Sequence, residues 1–120
     1  MIIFNGKPEQ PLEIQYVEFE GGAIPYLKWF RKQTAEVKSE VDARLVQVRK
    51  RNFGDHRKLP RGVTELRFEF GQALRIYGGE WKGQFFVLLH GGFKPTQRAD
   101  IKEATRLWVE FTKTAGKKGK

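Results

Sequence analysis

Apolar side chains recur along this chain with two different periods, and the switches between them mark out its elements. From Leu12 to Phe19, the residues Leu12, Ile14, Tyr16 and Val17 alternate imperfectly with Glu13, Gln15 and Glu18. That pattern predicts a first strand, ended by Gly21-Gly22. The spacing then lengthens. Ile24, Leu27 and Phe30 recur at helical intervals and predict a short helix from about Ile24 to Lys32. Thr34 can cap a second helix, with Glu36 well placed in its first turn and Val37, Val41, Leu45 and Val48 forming one buried stripe. Arg49, Lys50 and Arg51 suit its C-terminus. A sharp break at Gln33-Thr34 would make the pair an antiparallel helical hairpin.

After a loop over residues 52–62 the period returns to two. Thr64 to Phe70 alternates cleanly, with Leu66, Phe68 and Phe70 on one face and Glu65, Arg67 and Glu69 on the other. Leu74 to Tyr77 comes next, and Phe85 to Leu89, apolar on both faces, reads as a central strand. A three-residue loop, Gly71 to Ala73, would pair Phe70 with Leu74, Glu69 with Arg75, Phe68 with Ile76 and Arg67 with Tyr77. That register keeps one face wholly apolar. Gly91-Gly92 closes the last strand, and Thr96 is the expected cap of a final helix with Ile101, Ala104, Trp108 and Phe111 as its apolar stripe. The expected order is β-α-α-β-β-β-α. This is an α+β fold, a small, largely antiparallel sheet packed against a helical hairpin and a C-terminal helix. One domain spans 1–120, with its core over about 12–111 and a frayed basic tail at 112–120.

Composition narrows the chemistry. The chain has 120 residues, 39% of them hydrophobic and 13% aromatic, which suffices for one modest core. It has no cysteine, which excludes disulfides, thiolate catalysis and cysteine-based zinc sites together. Two histidines and no spaced carboxylate cluster make a metal site unexpected. The stretch Met1–Pro8 is too short in apolar residues for a signal peptide, and Phe85–Leu89 falls far short of a membrane span. A cytoplasmic protein without membrane contact or cofactor is expected.

Net charge is +9, and its distribution says more than its total. Residues 1–43 hold five Lys/Arg against seven Asp/Glu, whereas residues 44–120 hold eighteen against seven. A contiguous excess of this size points to a polyanion partner, nucleic acid or an acidic protein. Arg57, Lys58 and Arg61 in the loop, Arg67 and Arg75 on the strands, and Lys94 before the last helix can converge at one edge of the sheet. Tyr77 offers a ring for a base to stack on and a phenolic proton. This is the composition of an RNA-phosphate site. In the plainer reading, Arg67 and Arg75 form cross-strand ion pairs with Glu65 and Glu69.

The run "GDHRKLPRGVTELRFEFGQALRIY" followed by "VLLHGGFKPTQRADIKEA" resembles the RelE/ParE superfamily of bacterial type II toxins. The resemblance is nearest to the HigB-like branch of addiction-module killer and phage-derived proteins, and it covers about Leu12 to Phe111. It implies a ribonuclease toxin that cleaves mRNA on the ribosome and is held inactive in a hetero-oligomer with a cognate antitoxin. Carried over position by position, Lys58 and Arg61 match the basic loop pair, Arg75 the strand arginine and Lys94 the basic residue of the last loop. These four are the expected catalytic residues, with Arg57, Arg67, Tyr77, His90 and Gln97 as RNA contacts. Lys58 is the expected base, because it sits between two cations and an amine, unlike a guanidinium, can give up its proton. The chain departs from many relatives in carrying Ala73-Leu74 where they have Gly-aromatic before the strand arginine. It also has no Tyr or His after Lys94 to serve as general acid, which leaves Tyr77 and His90 for that role. The gyrase-poisoning branch of the superfamily, or an RNA-binding module without chemistry, are the alternatives.

Overall fold

A computed structural model of the chain describes residues 10–118, and side chains as far as residue 115. The stretch Met1–Pro8 and the last two residues of the expected tail lie outside the described residues. Strand β1 (Glu13–Tyr16) is followed by α1 (Pro25–Arg31) and α2 (Ala35–Arg49). Four strands come next, β2 (His56–Lys58), β3 (Val63–Arg67), β4 (Arg75–Trp81) and β5 (Phe85–Gly92), and α3 (Gln97–Lys118) ends the described chain. The strands form one sheet in the order β1-β5-β4-β3-β2. All neighbours are antiparallel except β1, which runs parallel to β5. The fold is α+β, as the alternation of periods predicts, and β5 has a strand on either side. No helix among the described residues is long and apolar enough to cross a membrane.

Each face of the sheet buries its own core. On one face α1 and α2 cover Leu66, Ile76, Phe86 and Leu88, with Val37, Val41 and Val48 of the expected α2 stripe buried against them. Thr34 caps α2 as expected, its Oγ1 accepting from the Val37 N–H at 3.2 Å. On the other face α3 lays Ala104, Leu107 and Trp108 over Val63, Tyr77, Val87 and Leu89. Trp108 can lie this close because the positions beneath it are glycines. A Cβ on Gly79 would stand 2.7 Å from its ring, and one on Gly62 2.9 Å from its Nε1.

Four expectations are corrected. The stretch read as a loop contains β2, a three-residue edge strand paired with β3. The β3–β4 register places Arg67 opposite Arg75, Leu66 opposite Ile76 and Glu65 opposite Tyr77, two residues away from the expected pairing. The shift is even, so every side chain keeps its expected face. Its cause lies at the end of β3. Arg44 donates to the Arg67 carbonyl at 2.7 Å and its guanidinium stacks 4.2 Å from the Phe68 ring centroid, which leaves residues 69–73 as a longer loop. Thr96 does not cap α3 with its oxygen; its hydroxyl donates to Asp100 at 2.6 Å, and a 3-10 turn from Lys94 to Thr96 leads into the helix. Finally, the basic segment from residue 112 continues α3 as far as Lys118.

Candidate functional site

The face of β3 and β4 that carries charge does not look onto solvent, because α3 crosses it. Its centre is Glu65, a carboxylate with no exposed surface. Burying an ion this way is tolerable only when donors surround it. Here Arg57 Nε donates to Oε1 at 3.2 Å, while the Tyr77 hydroxyl at 3.2 Å and Gln97 Nε2 at 2.8 Å both donate to Oε2. Burial, and then the Glu65 charge, push the Tyr77 phenol far above its ordinary value. Tyr77 is therefore a locked donor to Glu65. With its ring wholly covered, it offers no face to a base, which corrects the expected stacking role.

Two pairs further along the ladder, past Leu66 and Ile76, Arg67 and Arg75 stand directly opposite each other on β3 and β4. Arg67 is half-buried and Arg75 is 9% exposed. Both Nε atoms are buried without a hydrogen-bond partner among the described residues, and neither guanidinium forms an ion pair there. The cross-strand pairing with Glu65 and Glu69 is not what forms, since Glu65 is taken up by Arg57, Tyr77 and Gln97. Like charges directly opposite on a sheet repel, so this pair of guanidiniums is an arrangement that an anion would stabilise.

A bulge in β5 completes the cluster. Gly78 lies opposite Leu88 but Tyr77 lies opposite His90, so Leu89 is an extra residue that re-aims the rest of the strand. His90 thereby faces α3, where its Nε2–H donates to Asp100 Oδ1 at 3.0 Å, and Asp100 Oδ2 accepts from Thr96. The other ring nitrogen, Nδ1, is buried and without a hydrogen-bond partner among the described residues. Gly92 lies beyond the same switch; a Cβ there would collide with the Asp100 carboxylate, so only glycine lets Asp100 reach His90.

The expected residues thus fall into four places. Arg57, Arg67, Arg75, Tyr77, His90 and Gln97 share the α3 side of the sheet. Lys94 is exposed in the turn before α3, beside a shallow hollow with Gly71, Gln72 and Ala73 of the β3–β4 loop. Arg61 is exposed at the opposite end of β3, about 13 Å of strand away from Arg67. Its backbone is left-handed, with φ 70°. Lys58 does not join them. It pairs with Thr64 across the β2–β3 ladder, and its ammonium reaches Glu80 Oε1 at 3.2 Å and lies 5.5 Å from the Phe53 ring centroid. Alternation along β2 turns it to the face opposite Arg57, and its charged neighbour is a carboxylate. The cationic crowding expected to make it a base is not its environment. Glu65 and Asp100, the two carboxylates that organise the cluster, have no site role in the reading from sequence. Glu65 has a signal in the period-two face it shares with Tyr77, and Asp100 has none.

No family profile matches the chain. An uncharacterized protein of Haemophilus influenzae is 38% identical to it over 89 residues, which is 73% of this chain and 90% of that protein. The chain belongs to the family of this Haemophilus protein. A match across nine-tenths of the relative concerns a whole small protein, so the relative is a second sequence on which the cluster around Glu65 and Arg75 can be tested.

Proposed function

We propose that the protein is a type II toxin of the RelE/ParE superfamily, HigB-like branch, acting in the cytoplasm as a metal-independent endoribonuclease on ribosome-bound mRNA. The observation that carries this reading is the opposed pair Arg67–Arg75, two guanidiniums without an ion-pair partner among the described residues. In RNA the 2′-OH can attack the adjacent 3′-phosphate without a metal, and fixed cations then stabilise the dianionic phosphorane. Arg75 and Arg67 supply those cations. Arg57, Arg61 and Lys94 lie at intervals to either side, which suits an extended strand better than a single small anion. His90, oriented by Asp100, is the acid–base group of this reading. The partner that holds the toxin inactive is a cognate antitoxin whose acidic segment neutralises these cations, so its affinity falls as salt rises.

A second reading has specific support. Lys58 faces away from the arginines and Tyr77 is locked on Glu65, so two expected site groups are otherwise engaged. On this reading the same face binds RNA or another target, such as gyrase, without cleaving RNA. Induced expression with mapping of mRNA 5′ ends separates the two. New 5′ ends within codons support the nuclease; intact transcripts alongside DNA damage support gyrase, and intact transcripts with arrested translation support binding alone. Folded Arg75→Ala should lose toxicity, with a barrier rise of about 2.7–4 kcal/mol if the contact is to developing charge. Arg61→Ala should weaken it less, and Lys58→Ala should kill like wild type. Undiminished killing by folded Arg75→Ala would sink the arginine assignment.

A further inference from the structure

Strand β1 pairs only with residues 85–88 of β5, so the last four residues of β5 have no strand beside them on that side among the described residues. The space there is a groove of about 430 Å³ between α1 and α3, with Ile24, Pro25 and Trp29 on one side and His90 on the other. It continues past Lys28 and Lys32 into a second hollow, of about 550 Å³, that adds Arg31. Lys28, Arg31 and Lys32 are exposed, and none has an ion-pair partner among the described residues. They sit at positions three and four apart, so they share one side of the helix. The one acidic residue lining the groove, Glu103, is already held by Arg106 at 2.7 Å.

Cations at a helix C-terminus interact well with its dipole, and that accounts for placing Arg31 in the last turn. It does not account for an apolar groove beside three unpaired cations. Trp29 forms a fixed wall of that groove, since its ring lies against Gly91 so closely that a Cβ there would stand 2.6 Å away. A rigid aromatic wall, an apolar floor and a cationic rim are the complement of a peptide with apolar anchors spaced among carboxylates.

We propose that this groove is a docking site for an acidic peptide segment of a partner protein, which seats an aliphatic or aromatic side chain against Trp29 and Ile24 and its carboxylates on Lys28, Arg31 and Lys32. The site shares only His90 with the arginine cluster and does not depend on RNA cleavage. It also differs from a bare electropositive surface, because the apolar floor rewards a side chain that a polyanion lacks.

The test titrates the full-length protein with three fluorescein-labelled probes of equal charge: a short peptide alternating glutamate with leucine, a poly-glutamate peptide, and a single-stranded RNA. The alternating peptide should bind, shift the backbone amide resonances of residues 22–32, and outbind poly-glutamate by at least about tenfold, the return on burying apolar anchors. Lys28→Glu with Lys32→Glu, at two exposed side chains unpaired among the described residues, should lower the thermal midpoint only slightly, through the lost dipole interaction at the end of α1, and weaken that peptide by at least about tenfold. Four outcomes overturn the proposal: no binding, equal binding of poly-glutamate, indifference to the double reversal, or tighter RNA binding lost through the same reversal. The last would make the groove a nucleic-acid surface instead.

Discussion

Glu65 and Tyr77 show how a single pair of side chains can organise a charged face. A buried carboxylate costs several kcal/mol unless its lone pairs are met, and among the described residues Glu65 meets three donors, of which only Arg57 is charged. Tyr77 has no solvent exposure and its phenol is held neutral well beyond the ordinary range. The unfolded chain ionises that phenol near its ordinary value of 10, whereas the folded chain does not. The unfolded state thus loses the proton first as pH rises, and stability falls above pH 10 by up to about 1.4 kcal/mol per pH unit for each such tyrosine. Tyr26, also buried and raised, contributes in the same direction. Tyr77→Phe should flatten the alkaline decline in urea-unfolding free energy measured from about pH 9 to 11. At pH 7 it should cost about 1–3 kcal/mol, because Glu65 loses a donor it cannot replace with water. An unchanged alkaline slope would show that the phenol is not the titrating group.

Among the elements, α3 and β5 decide what the cluster looks like. The bulge at Leu89 turns His90 and Gly92 toward α3, and the glycines at 62 and 79 let Trp108 lie on the strands. Trp108 is confined from the other side too. It meets Trp81 edge-on at 6.2 Å and stacks on Phe111 at 5.6 Å between centroids. It cannot retreat from an added methyl. Gly79→Ala should therefore destabilise the protein by about 1–3 kcal/mol, the usual cost of overpacking a filled core. Thermal unfolding reads this as a lower midpoint, and near-UV circular dichroism should lose the tryptophan signal of the coupled rings. A variant that melts with wild type would mean that α3 sits farther from the sheet.

For the molecule as a whole, charge is sorted by surface and not simply by position along the chain. The N-terminal part is acidic in total, yet α1 carries no acidic residue and lines a groove rimmed by unpaired cations. The C-terminal part is basic in total, but its charges divide between the arginine face and separate ion pairs such as Lys58–Glu80 and Arg106–Glu103. If Arg57, Arg61, Arg67, Arg75 and Lys94 all touch phosphate, single-stranded RNA affinity should fall with salt at a log–log slope of about −3.5, near −0.7 per contact. Fluorescence anisotropy across a series of salt concentrations measures this, and Arg75→Ala should make the slope shallower by about 0.7. A slope near zero would mean that phosphates are not the ligand of this face.

Local sequence is enough to place the helices, to keep the faces of β3 and β4 distinct, and to concentrate cations where they stand, because periodicity and capping act over a few residues. Val37, Val41 and Val48 are buried where their spacing puts them, and Thr34 caps α2 from its own side chain. The β3–β4 register departs by two residues from the local expectation because it depends on Arg44, which arrives from α2 and takes the carbonyl of Arg67. Lys58 and Arg57 are neighbours in the chain and part onto opposite faces once β2 pairs with β3. Tyr77 looks like a surface aromatic on a polar face until α3 is laid across it. His90 meets Asp100 only through an extra residue in a strand and a missing Cβ two positions on, at Gly92. Those four outcomes come from contacts between segments distant in the chain. The energy of such contacts depends on which surfaces meet, and no short window of sequence contains both partners.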